Sequence, residues 1–119
     1  MLNLAIQKSK MSKTIELKAD NPEIIANVGN KLGYSFNEHI SVGYWAEFEI
    51  EDESIIRHSG TDTVYNSPES MKEPGMPGAD AAKTTFFFEA ISTGTSLLIV
   101  RNIFRGEIEN EYKFRITVS

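Results

Sequence analysis

Two histidines, a group of acidic residues and many serines are the side chains of this 119-residue chain that could carry out chemistry. His39 and His58 are the only histidines, and their spacing fits neither a HExxH zinc motif nor a pair of ligands on one helical turn. No serine lies in a G-x-S-x-G elbow. The chain has no cysteine, which excludes a thiol nucleophile and a zinc–thiolate site. We therefore expect a protein that is not an enzyme and that needs no metal or cofactor.

The acidic group lies between residues 47 and 53 and alternates with apolar residues at its start. Alternate residues of a strand share a face, so Glu47, Glu49 and Glu51 are expected on the exposed side of a half-buried strand. Such a charged face discourages edge-to-edge association and lacks the D-x-D-x-D-G pattern of a calcium loop. Trp45 falls on the same face, where it is a candidate for a ligand contact or for a small second core.

Composition sets the limits of the remaining interpretations. With 40% hydrophobic residues, the chain can bury one ordinary core, and its net charge of -5 has the wrong sign for binding nucleic acid. No stretch approaches the roughly 20 apolar residues of a membrane-spanning helix, so no membrane partner is expected. We predict a flexible leader or signal remnant over residues 1–12 and one domain over 13–119. A monomer is expected, and the compartment, cytoplasmic or lysosomal and vesicular, is left open.

Period-two alternation predicts an all-β sandwich or barrel. The clearest run is at the C-terminus, where Tyr112, Phe114, Ile116 and Val118 would face the core and the residues between them would face water. Short segments of turn residues separate most of these alternating runs. The segment from about Ser59 to Thr84 is the exception, because it loses the alternation and contains two Pro-Gly pairs. Long segments of this kind in a compact domain are disproportionately functional.

Three short stretches are predicted to be loops on this scaffold. The first is GNKLGY, comprising Gly29, Asn30, Lys31, Leu32, Gly33 and Tyr34. The second contains Gly75, Met76, Pro77 and Gly78, and the third contains Arg101, Asn102, Ile103 and Phe104. In this order and spacing, the chain resembles the chagasin-like protein inhibitors of papain-family cysteine peptidases. The loops of that family are marked by NPTTGY-W, G-x-x-G and R-P-W.

The three loops match the family motifs to different degrees. In the first, Gly33-Tyr34 is kept and Phe36 follows as the aromatic residue. In the second, Gly75 and Gly78 match G-x-x-G. In the third, residues 102–104 replace R-P-W, unless Arg101 supplies the arginine through a shift of one residue.

The resemblance implies an immunoglobulin-like β-sandwich with three loops at one end, and a reversible, tight-binding inhibitor of papain-like, cathepsin-like peptidases. The family's first loop enters the centre of the cleft, so residues 31–33 would cover the catalytic pair. Residues 75–78 would lie on the non-primed side and residues 102–104 on the primed side. Apolar tips are then expected to be exposed at Leu32, Met76, Ile103 and Phe104.

Two other classes of function remain as alternatives to the inhibitor hypothesis. One is an immunoglobulin-like adhesion or ligand-binding module, in which Trp45 and the acidic strand would matter more than the loops. The other, a small β-fold enzyme subunit, is favoured least, because no catalytic set is visible.

Overall fold

The computed structural model describes residues 14–65 and 81–119, which form eight β-strands and one short 3-10 turn. The strands are β1 (Thr14–Glu16), β2 (Glu23–Ala26), β3 (Lys31–His39), β4 (Tyr44–Ile50), β5 (Ile56–Tyr65), β6 (Ala81–Ala90), β7 (Gly94–Phe104) and β8 (Glu107–Val118), and the 3-10 turn is Ile40–Val42. The prediction of an all-β chain is confirmed. The predicted leader over residues 1–12 lies outside the described residues. Within the described ranges there is no helix with the length and hydropathy needed to cross a membrane.

The strands pair into two layers. One layer has the order β1-β3-β6-β5 and the other has the order β2-β8-β7-β4. The layers are joined where β3 turns into β4, because His39 pairs with Tyr44 and the two strands then diverge. The short strands β1 and β2 run parallel to their neighbours, and the longer strands are antiparallel. This arrangement is the predicted immunoglobulin-like sandwich.

The core lies between the two layers and follows the predicted alternation. Phe114, Ile116 and Val118 of β8 are buried, while the residues between them are exposed. Phe48 of β4 crosses the interior, and its ring lies 5.1 Å from the rings of both Phe86 and Phe88 on β6. Aromatic pairs at this distance stabilise a core beyond the area that they bury. The two layers are therefore packed as one unit that can hold its end loops in place.

The strand register determines which connections meet at each end of the sandwich. His39 pairs with Ala81, Tyr65 pairs with Ala82, and Tyr44 pairs with Phe104. The β3–β4 and β7–β8 hairpins therefore lie at the same end as the last residue of β5 and the first residue of β6. This end is termed the loop end. The turn between β2 and β3 lies at the opposite end, where the Gly29 amide donates to the carbonyl of Ala90.

Candidate functional site

Residues 31–34 of the stretch predicted to be the first binding loop belong to a central strand, so the prediction of a loop is wrong for them. Lys31 through Tyr34 begin β3 and pair with residues 86–89 of β6. Leu32 is 0% exposed and Tyr34 is buried as well. Gly29 and Asn30 form the turn before β3, at the end opposite the loop end. Eight residue steps of extended chain, about 26 Å, separate Lys31 from the loop end.

Gly33 explains why this stretch is predicted to be a loop. A glycine is favoured there because side chains of neighbouring strands crowd the position, and not because the chain turns. Its φ is not positive, since the positive-φ glycines among the described residues are at other positions. A Cβ at this position would lie 3.2 Å from Thr14 Cγ2 and 3.4 Å from Thr85 Cγ2. The expectation of a close approach at Gly33 is therefore correct, but the approaching groups are on neighbouring strands and not on a partner.

The hairpin between β3 and β4 is the first loop of the loop end. After His39 the chain makes one 3-10 turn over Ile40–Val42, which is closed by the Gly43 amide donating to the Ile40 carbonyl at 2.9 Å. Gly43 then adopts a left-handed conformation with φ of 82°, and Tyr44 starts β4. Sequence reasoning missed this loop. The available signal was a second Gly-Tyr pair, Gly43-Tyr44, which is directly followed by Trp45.

The third loop is the β7–β8 hairpin, and of its predicted members Phe104 reaches the surface. Phe104 is 38% exposed and pairs with Glu107 across a two-residue turn. Its ring makes an edge contact with Tyr44 of the first loop at 5.9 Å. The prediction that Phe104 is an exposed apolar tip is confirmed.

The other predicted members of the third loop lie in the sheet. Ile103 is only 5% exposed, because Trp45 and Ile108 lie directly across from it on the neighbouring strands. The prediction of an exposed tip at Ile103 is therefore wrong. Trp45 itself is 39% exposed, and its role as a ligand contact or as part of a small second core stays a prediction. Asn102 is half-buried and accepts a hydrogen bond of 3.5 Å from the Tyr34 hydroxyl.

Arg101 is held on the outer face of the sheet by two carboxylates. Its Nε lies 2.8 Å from Glu111 and its Nη2 lies 3.2 Å from Glu49, so it bridges β8 and β4. This pairing also gives part of the acidic strand a structural role. Arg101 therefore does not occupy the loop tip, and the residue that does is Arg105.

The first and third loops are bonded to each other. The Arg105 amide donates to the Gly43 carbonyl at 2.8 Å. Burial, together with a hydrogen bond to the Glu109 carboxylate, raises the pKa of the Tyr44 phenol above its ordinary value of 10.0. These contacts make the two hairpins a single preformed surface.

Exposed apolar side chains are concentrated at the loop end. Among the described residues, nine large apolar side chains are exposed, and seven of them are at this end. We term them the loop-end surface: Ile40, Val42, Trp45, Val64, Tyr65, Phe104 and Ile108. Exposed apolar groups gathered in one region mark an interaction surface, whereas scattered ones need no explanation. The loop end is therefore the candidate binding site.

Parts of the predicted site and of its chemistry lie elsewhere. Residues 75–78, predicted to form the second loop, are outside the described residues, and their role stays a prediction. In the portions of the chain that the structure describes, no three His, Asp or Glu side chains come together as a metal site requires. The loop end can bind another molecule through apolar and charged contacts and through complementary shape.

Gly43→Ala is expected to weaken the link between the two hairpins. A side chain at φ of 82° is strained, and its Cβ would lie 3.3 Å from Arg105 Cγ and 3.4 Å from the Arg105 backbone. We expect a loss of about 2 kcal/mol of unfolding free energy, measured by urea denaturation. Gly29→Ala is the matched control, because Gly29 has φ of 93° but nothing within 4 Å, so it should lose only about 1 kcal/mol. Equal losses in the two variants would show that the contact with Arg105 contributes nothing.

Fold and surface together define a small immunoglobulin-like sandwich that presents two joined hairpins at one end. The sequence matches no family model, and the search of curated proteins finds no relative. Solved structures do resemble the chain. The cysteine protease inhibitor EhICP2 from Entamoeba histolytica is similar with a TM-score of 0.67 and 13% identity, over 89% of this chain and 94% of that protein.

Amebosin is similar as well, with a TM-score of 0.58 and 15% identity, over 90% of this chain and 99% of that protein. At these identities, the likeness establishes the fold. The predicted resemblance to chagasin-like inhibitors is therefore confirmed for the architecture of the chain.

Proposed function

We propose that this protein is a reversible, tight-binding inhibitor of papain-family cysteine peptidases, and not an enzyme. The observation that carries the proposal is the loop-end surface, in which five of the seven exposed apolar side chains lie on two hairpins that are bonded to each other. The fold shared with a cysteine protease inhibitor over most of both chains supports the same function.

In this proposal, the first hairpin is the part that enters the peptidase cleft. Ile40 is 56% exposed, Val42 is also exposed, and both lie on the single 3-10 turn that caps the β3–β4 connection. Residues 40–43 therefore replace residues 31–33 as the segment that would cover the catalytic cysteine and histidine. Phe104 in the third loop would pack beside them, on the primed side of the cleft.

Inhibition by such a surface is occupation of the cleft and involves no chemical step. The 3-10 turn between His39 and Tyr44 presents a compact hairpin, so no extended peptide bond lies in near-attack geometry for the catalytic thiolate. The inhibitor is consequently released intact. The loops lose little conformational entropy on binding, because the Gly43–Arg105 hydrogen bond and the Tyr44–Phe104 ring contact already order them. A preformed surface of this kind can bind tightly with an interface of about 1,600 Å².

A titration of papain and of several cathepsin-like peptidases with the purified chain tests the proposal. Hydrolysis of a fluorogenic peptide reports the free enzyme, and mass spectrometry of the mixture reports whether the chain is cleaved. We expect competitive inhibition of at least one peptidase, with the inhibitor recovered intact. If no peptidase is inhibited, the proposal is wrong and an adhesion or ligand-binding module becomes the better interpretation.

A further inference from the structure

Arg105 lies in the turn of the β7–β8 hairpin at the loop end, in a backbone conformation that arginine rarely adopts. The pairing of Phe104 with Glu107 leaves Arg105 and Gly106 as the two residues that close the β7–β8 hairpin. Their φ values are 51° and 82°, and two successive left-handed residues form a type I′ turn. Asparagine or glycine suits the first of these positions better than arginine. The geometry of the turn therefore does not explain the arginine.

The charge of Arg105 is held in a defined place. Its guanidinium carbon lies 5.1 Å from the centre of the Phe104 ring, within the range of a cation–π interaction. The backbone beneath it is tied to the first loop through the Gly43 carbonyl. Both Phe104 and Arg105 are exposed. Ring and guanidinium thus form one preordered tip on the loop-end surface.

Among the described residues, Arg105 is the arginine that has no carboxylate within ion-pair distance. The others pair within 4.0 Å: Arg57 with Glu89, Arg101 with Glu49 and Glu111, and Arg115 with Glu23. Arg105 forms no such pair within residues 14–65 and 81–119, although the protein carries a net charge of -5 and Glu107 is two positions away. No carboxylate of the described part of the chain therefore neutralises its positive charge.

Building on the proposed function, we propose that Arg105 is a specificity-determining residue that selects peptidases with an Asp or Glu on the primed-side rim of the cleft. Phe104 covers apolar surface there, and the guanidinium pairs with the neighbouring carboxylate in a bidentate geometry. The strain at Arg105 fits this role, because residues in sparsely populated conformations cluster at binding sites. The interaction lies at the rim, so it weakens as salt is added.

The experiment compares inhibition constants of the wild type, Arg105→Asn and Arg105→Glu. The enzymes are papain-family peptidases whose structures either carry or lack a carboxylate on the primed-side rim, each assayed at low and high salt. Arg115→Asn is the matched control. It removes the same charge from an exposed arginine of β8 that pairs with Glu23, far from the loop end.

For peptidases with the carboxylate, Arg105→Asn is expected to raise the inhibition constant about tenfold at low salt, and Arg105→Glu is expected to raise it further. The difference shrinks at high salt and is absent for peptidases that lack the carboxylate. Arg115→Asn leaves every constant unchanged. The thermal midpoint of Arg105→Asn is no lower than that of the wild type, since asparagine tolerates the left-handed conformation. The weaker inhibition is then not a consequence of unfolding.

A charge exchange gives the most specific result. Replacing the carboxylate of a sensitive peptidase by lysine should weaken the wild-type inhibitor and restore Arg105→Glu. If Arg105→Asn inhibits every peptidase as tightly as the wild type, the specificity role is wrong while the inhibitor function stands. If the wild type inhibits no peptidase at all, the proposed function itself fails and the role of Arg105 fails with it.

Discussion

Leu32→Asp is expected to leave the chain unfolded at room temperature. Leu32 is 0% exposed and lies directly across from Phe88, which is also 0% exposed. Removing a buried leucine side chain costs about 2–5 kcal/mol, and an unpaired carboxylate in its place adds a desolvation cost of several more. Small domains are stable by only about 5–15 kcal/mol in total. Circular dichroism should show loss of the β spectrum and of a cooperative thermal transition.

Asn37→Asp is the control for placing a carboxylate on β3 without burying it. It introduces the same side chain into the same strand, at an exposed position opposite Lys83. We expect a change of about 0.5 kcal/mol or less in the free energy of unfolding. A folded Leu32→Asp with an unchanged thermal midpoint would instead indicate that residues 31–34 form an exposed loop, and it would overturn the strand assignment.

The strands of this protein could be predicted from the sequence because their alternation is local information. Phe114, Ile116 and Val118 are buried, as their spacing indicates, and Phe86 and Phe88 are buried in the same way. Period two also runs through the misassigned stretch, where Leu32, Tyr34 and Phe36 are all buried. The glycine and the family motif predict a loop there, whereas the periodicity, which reports burial more directly, predicts a strand.

The choice between two Gly-Tyr pairs could not be made from local sequence. Gly33 is a glycine because Thr14 and Thr85 crowd its position, and both residues are distant in the chain. Gly43 is a glycine because the chain turns there with φ of 82°. Both causes favour glycine, so the residue type does not distinguish them. Strand register, which depends on tertiary pairing, distinguishes them.

Burial at the third loop depends on contacts across strands. Ile103 and Phe104 are neighbours and are both apolar, yet one is 5% exposed and the other 38%. Ile103 is covered because β4 places Trp45 opposite it, and because the β7–β8 register shifts after Asn102, which brings Ile108 opposite Ile103 and leaves Glu109 without a pairing partner on β7. A bulge of this kind has no reliable local signal, so the sequence predicted both residues to be exposed.

Ile40→Asp and Phe104→Asp are expected to weaken peptidase inhibition strongly while the fold is retained. The two residues lie on different hairpins of the loop-end surface, and both side chains are exposed. In the proposed complex each side chain is desolvated against the peptidase, so a charge there remains buried and unpaired. Central apolar anchors of an interface contribute about 2 kcal/mol or more each, which corresponds to at least about thirtyfold in the inhibition constant. The double variant should lose inhibition by about a thousandfold, as measured with the fluorogenic assay.

Ile25→Asp is the control for these variants, because Ile25 is 78% exposed and lies on β2, in the half of the sandwich away from the loop end. It introduces the same charge in place of the same residue type, and it should inhibit like the wild type. Ile40→Asp and Ile25→Asp should retain a thermal midpoint close to that of the wild type, since both side chains are more than half exposed. Phe104→Asp should remain folded with a slightly lower midpoint, since it loses the ring contact with Tyr44. Equal inhibition by Ile40→Asp and Ile25→Asp would mean that the first hairpin does not enter the cleft. Loss of inhibition by Ile25→Asp alone would move the binding surface to the opposite end of the sandwich.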